Sequence, residues 1–252
     1  MNKDIIEYRC SIPVNMFTGM EFHDFFLRNL WFTPSSFHGR GITHGVKPFR
    51  KKFIDDIKRQ KENISFTIWD KNTDQEFSIV VPVNKHTHQG MFFRFDVAKY
   101  DKVYSLIEKY VLNKIIVGYA HQYYDRYLQS ANNATAYRVK KMEPPRHKLI
   151  KNHIGLLENI DISHNPGRID MVSSMWLTST WRMWFGKEFY KEVTKEKLKS
   201  FSLAHEIKEL DNDVLFIELY NDPFGADLPE NRKIQQAFRD HIKMEELIKK
   251  LK

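Results

Sequence analysis

Across 252 residues there is a single cysteine, Cys10, which excludes an intramolecular disulfide framework and any structural zinc site built on several thiolates. A reducing, cytoplasmic location is expected. Glycine and proline are also scarce, at ten and nine, too few for a fibrous or low-complexity chain. No apolar run reaches 18 residues, and no apolar stretch with a small-residue cleavage site follows the polar start from Met1 to Tyr8. Neither membrane spanning nor secretion by signal peptide is therefore expected. The chain also lacks a P-loop, a GxGxxG turn, a GxSxG elbow and an HExxH helix, the local patterns of phosphate, dinucleotide, acyl-transfer and zinc chemistry. No cofactor and no metal are implied.

What is present fits a globular protein: 42% hydrophobic residues, 14% aromatic and 29% charged are enough to bury a substantial core. The net charge of +8 points to an anionic partner only where basic residues converge. Between Lys47 and Lys61 they are interleaved with Asp55 and Asp56, which reads as a solvated helix face. From Arg138 to Lys151, by contrast, Arg138, Lys140, Lys141, Arg146, Lys148 and Lys151 face Glu143 alone. That segment is the best anion-facing candidate. No zinc finger, RNP-like run or GXXG loop accompanies it, so a general basic surface is the simpler reading than a nucleic-acid groove.

The pattern of elements predicts an α+β fold, with mainly antiparallel sheets or one extended sheet covered by helices. Ile5 to Val14 reads as a strand, short or at an edge because of Pro13. Helical spacing of Phe22, Phe25, Phe26, Leu27 and Leu30 follows, then a Gly-rich loop over Thr33 to Gly45. Ser65–Val83 and Glu206–Tyr220 each read as a hairpin, and Pro229 to about Leu251 as one terminal helix. Polar, basic composition and Pro144-Pro145 place a division near residue 140, giving an N-terminal half, 1–140, and a C-terminal half, 141–252. Helix, hairpin and helix recur in both, which suggests two structurally similar halves.

Several constellations have a chemical and a structural reading. His121 and Asp125 are four apart, so a helix there would align a base with its orienting carboxylate, or merely a surface pair. His86 and His88 suit two metal ligands on an extended segment, or solvated loop histidines. Asn165-Pro166-Gly167-Arg168 suits a type II turn from which Arg168 either binds an anion or makes an ion pair. Trp176, Trp181 and Trp184, with Arg182 among them, have the composition of an aromatic core and equally of an interface hot spot. Glu206, Glu209, Asp211 and Asp213 form the one acidic group suited to a basic partner.

NPGR at Asn165, WRMWFGKEFY from Trp181, EKLKSF from Glu196, the EIKEL and FIELY strands, ENRKIQQAFRDHI from Glu230 and GYAHQYYDRYLQS from Gly118 resemble segments of poorly characterised bacterial proteins of toxin–immunity loci. The resemblance covers roughly the C-terminal third. It implies a cytoplasmic immunity-type protein whose partner is a cognate protein toxin; turn chemistry and hot-spot composition make Arg168, Trp176, Trp181, Arg182 and Trp184 the residues expected to bind it. The alternative is an enzyme or nucleic-acid-binding defence protein that acts on a phosphate-bearing substrate, with His121 and Asp125 as its acid–base pair.

Overall fold

Alternation in IIEYRCSI places Ile6, Tyr8, Cys10 and Ile12 on one side of an extended segment and Glu7, Arg9 and Ser11 on the other. In the computed structural model, which describes residues 4–81, 88–139, 141–151, 153–156, 159–172 and 175–252, this segment is β1 (Ile5–Pro13), a central strand of a ten-stranded sheet. The expected short or edge strand is corrected. Pro13 is the strand's last residue, opposite His88, so its missing N–H interrupts no interior ladder bond.

The other strands are β2 (Ser36–Gly39), β3 (Lys47–Pro48), β4 (Phe66–Trp69), β5 (Glu76–Val80), β6 (His88–Asp96), β7 (Val117–Gln122), β8 (Leu149–Ile150), β9 (Asn159–Ile160), β10 (Asp170–Val172), β11 (Met175–Leu177), β12 (Arg182–Phe185), β13 (Glu206–Leu210) and β14 (Val214–Glu218). The large sheet runs β13-β14-β12-β7-β1-β6-β5-β4-β2-β3, while β8–β9 and β10–β11 are separate ribbons. All its pairings among the described residues are antiparallel. The α+β expectation, in its single-sheet form, is met. Both expected hairpins are present as β4–β5 and β13–β14. Because β12 pairs with β7, strands from either side of residue 140 share the sheet.

Helices close both faces. They are α1 (Gly19–Phe25), α2 (Lys52–Lys58), α3 (Tyr100–Tyr110), α4 (Tyr123–Ser130), α5 (Ala134–Val139), α6 (Lys195–Lys199), α7 (Pro229–His241) and α8 (Met244–Leu251). On the Tyr8 face, Phe26 at the end of α1 packs on Phe77 and Phe93, and Tyr104 of α3 packs on Trp184. On the Glu7 face, Arg126 of α4 reaches Glu7, Phe238 of α7 packs on Phe185, and Trp176 of β11 packs on Phe92. The polar side of β1 is thereby interior. The single terminal helix expected from Pro229 onward is corrected to two, because Lys243 adopts a left-handed φ of 53° and α8 restarts after it.

Candidate functional site

Burying the polar face of β1 requires that each charge on it find a partner. Glu7 is fully buried and receives Arg94 at 2.9 Å, Arg126 at 2.9 Å, Arg9, and the Nε2 of His121 at 3.2 Å. Arg94 also pairs with Glu76 at 3.0 Å. Tyr123 lies beneath Arg94, 3.9 Å from its guanidinium carbon, and Phe92 beneath Arg9 at 4.6 Å. Burial alone raises the Glu7 pKa, but the guanidinium groups of Arg126, Arg9 and Arg94 and the His121 hydrogen bond hold it well below the usual carboxylate range. Burial pulls the His121 imidazole down to about 4, against the opposing pull of Glu7. The imidazole is thus neutral at pH 7 and enclosed by protein, which suits a structural strut.

The helix that would align His121 with Asp125 does not form, because His121 ends in β7 and Asp125 lies in α4. Gln122 is the junction, its side chain capping Asp125 N–H at 3.0 Å. The Asp125 carboxylate takes both terminal nitrogens of Arg232 from α7, and Arg232 continues to Gln235 at 2.9 Å and through it to the Tyr220 hydroxyl at 2.9 Å. Asp125 and Arg232 form part of the wall of a cleft of about 520 Å³, with Asp4, Asp227, Tyr124, Phe224 and Met142. Neither His121 nor Arg168 lines it. His121, Asp125 and Arg168 are therefore not brought into one cleft.

The expected type II geometry of the NPGR turn is corrected, since Gly167 does not take the positive φ that type requires; the turn itself is bolted to the C-terminal helices. Asn165 donates to Gln129 O at 2.9 Å, and Arg168 spans Ser163 O, Glu245 at 2.6 Å and Asp170 at 3.3 Å. Arg239, whose side chain is wholly buried, holds the same two carboxylates at 2.7 and 3.0 Å. The helix break at Lys243 is what returns Glu245 to these arginines. Arg168 has its charge satisfied within the fold.

Trp184 is fully buried between Tyr8, Tyr104 and Phe216, and Trp181 is 5% exposed against Tyr100. Trp184 lies in strand β12 and Trp181 is the residue before it. Arg182 bonds Glu218 and the Tyr100 hydroxyl, each at 2.5 Å, and lies over the Trp181 ring at 4.2 Å. Trp176, half-buried, lies across β6, where a Cβ on Gly90 would fall 1.7 Å from its ring. The acidic group near β13 meets lysines at the surface: Lys195 takes Glu209 and Asp213, Lys199 takes Glu209, and Lys208 takes Glu206. His86 lies outside the described residues, and His88 faces Glu188 at 4.0 Å.

Sequence reasoning missed Glu7 as a hub and Asp125–Arg232 as a pair. An alternating strand with polar residues on one side reads as half-solvated, and only the pairing register of β1 with β6 and β7 sets Glu7 opposite Arg94 and His121.

No family model matches the chain, and no curated protein matches it either. Among solved structures, the Pseudomonas aeruginosa T6SS protein PA0821 is similar with a TM-score of 0.56 at 10% identity, over 95% of this chain and 76% of that one. At that identity the likeness is one of fold.

Proposed function

We propose that this chain is an immunity-type protein that binds and neutralises a cognate bacterial toxin in the cytoplasm. The observation that carries the reading is the similarity in fold, along 95% of the chain, to a T6SS protein, a secretion context compatible with a toxin–immunity locus. The geometry supports it as well. The groups suited to acid–base or anion chemistry are bound into pairs within the fold: His121 to Glu7, Asp125 to Arg232, and Arg168 to Glu245. A toxin blocker needs complementarity to its target and no chemistry of its own. The cleft beside Asp125 is a poor place for a phosphate-bearing substrate, since Asp4, Asp125 and Asp227 set three carboxylates in its wall against Arg232.

Co-expression with the product of the adjacent gene tests the proposal. Growth should be restored when that product is toxic, and a complex of the two proteins should survive gel filtration. Toxicity that persists in the presence of the folded chain, or rescue without any complex, would overturn it.

A further inference from the structure

Of the twelve large apolar side chains that the described residues leave exposed, six fall between residues 139 and 171. The same stretch opens on the basic run 138–151, six Lys and Arg against one Glu. The basic run and five of the six, all but Met171 of β10, belong to one small unit running from α5 to β9. Here α5, β8 and β9 gather around Ala131, Tyr137 and Ile160, a core separate from the main one, and β9 is tied to the start of α5 by the Ile160 N–H bond to Asn132 O at 2.9 Å.

Where this unit meets α8 there is a hollow of about 420 Å³, floored by Ile150, Ile160, Ile162 and Ile248 and edged by Lys249. Of its three carboxylates, Asp170 and Glu245 are paired with Arg168 and Arg239, which leaves Asp161, held by the Ser163 N–H at 2.8 Å, against Lys249 and Lys252. Ile150 is 47% exposed, and Lys249 and Lys252, both exposed, line the hollow with it.

Charge and shape narrow the occupant. A groove for single-stranded nucleic acid stacks bases on aromatic rings, and no aromatic side chain lines this hollow among the described residues. A membrane surface takes up projecting apolar side chains, whereas two of the four isoleucines here, Ile160 and Ile248, are buried. An apolar side chain carried on an acidic protein segment satisfies both the floor and the rim.

We infer that this hollow docks an acidic segment of a protein partner, with one of its apolar side chains seated among the four isoleucines and its carboxylates facing Lys249 and Lys252. The identity of that partner as the toxin rests on the function proposed above; the surface does not.

The toxin neutralised in the growth assay is the first probe. Ile150→Glu and Lys249→Glu should each weaken its complex by about tenfold or more and reduce protection, with thermal unfolding unchanged. Leu203→Glu, at an exposed position outside this unit, should leave both as in the parent. Lys249→Glu carries the test alone if Ile150→Glu fails to fold. Undiminished affinity in the folded hollow variants would overturn the docking site and leave the immunity reading standing. If the parent protects against no toxin, the immunity reading falls instead, and a second probe decides the surface. That probe is a fluorescein-labelled peptide of Glu-Glu pairs alternating with Leu and Phe, followed by anisotropy. Saturable, salt-sensitive binding that is lost in the variants supports the site. No saturable binding, equal binding of a Glu-only peptide, or tighter binding of a single-stranded oligonucleotide or anionic vesicles overturns it.

Discussion

The Nε2 nitrogen of His121 stands 3.2 Å from Oε1 of Glu7, and both side chains are sealed inside the protein between β1, β7 and α4. The consequence is a defined acid sensitivity. Burial keeps the folded-state His121 neutral down to about pH 4, whereas the unfolded chain takes up its proton near the ordinary value of 6.5. In that window the unfolded state binds more protons, so stability rises with pH and is lost as pH falls from 6.5 toward 4. At roughly 1.4 kcal/mol per pH unit the loss amounts to about 3 kcal/mol. Glu7, held below its ordinary 4.5, adds stability that is present above that value and lost as pH falls through its folded pKa. Urea midpoints from pH 7.5 to 4 measure this. In His121→Asn the slope between 6.5 and 4 should flatten, and an unchanged slope would remove His121 from the account.

Glu7→Gln should cost far more than the loss of one hydrogen bond. It leaves Arg9, Arg94 and Arg126 crowded together without their shared counter-charge, with side chains only 12–15% exposed. Breaking a buried ion-pair network by removing one partner costs about 3–5 kcal/mol. Adding Arg126→Met to Glu7→Gln should recover part of that loss in chemical denaturation. A double variant as unstable as the sum of the two single ones would contradict this coupling.

The hairpins were legible in the sequence because FTIW and EFSIV alternate around a turn, and local pattern alone determines such a unit. What local pattern does not carry is which polar face another element covers. Glu7, Arg94 and Arg126 are up to 119 residues apart and meet only when α4 folds over β1. The break at Lys243 was hidden too. Neither glycine nor proline marks it, and it is held by Glu245 returning to Arg239 and Arg168.

Gly90 and Trp176 form a second coupled pair. The Trp176 ring occupies the space a Cβ at Gly90 would need, and Phe92 meets the ring edge-on at 4.8 Å. Gly90→Ala should therefore destabilise by about 1–3 kcal/mol, the usual cost of overpacking. In a Trp176→Leu background the same change should cost clearly less, a coupling that a double-mutant cycle reads directly. Equal costs in both backgrounds would mean that the ring moves aside freely.

Trp184→Ala empties a site packed by Tyr8 at 5.1 Å and Phe216 at 5.3 Å between ring centroids, so a loss of about 3–5 kcal/mol is expected, with Trp184→Phe retaining most of the stability. Protection against a toxin should fall only as far as the folded fraction falls. A Trp184→Ala protein that unfolds like the parent yet no longer binds would place the ring at an interface.

His121→Asn and Asp125→Asn separate blocking from catalysis. Both side chains have structural partners, Glu7 and Arg232, so some stability is lost in each variant, and the comparison must be made at a temperature where both are folded. A protein that acts by covering its target requires neither a proton donor nor a base, and each variant should then protect cells as fully as the parent and hold the toxin with the same affinity. An enzyme that relied on this pair would behave differently. Removing a general acid or base typically slows the reaction by 10²–10⁴-fold, so protection would collapse while binding persisted. That pattern, in folded protein, would replace the immunity reading with a catalytic one, whereas parallel protection and affinity in parent and variants would leave occlusion as the means of neutralisation.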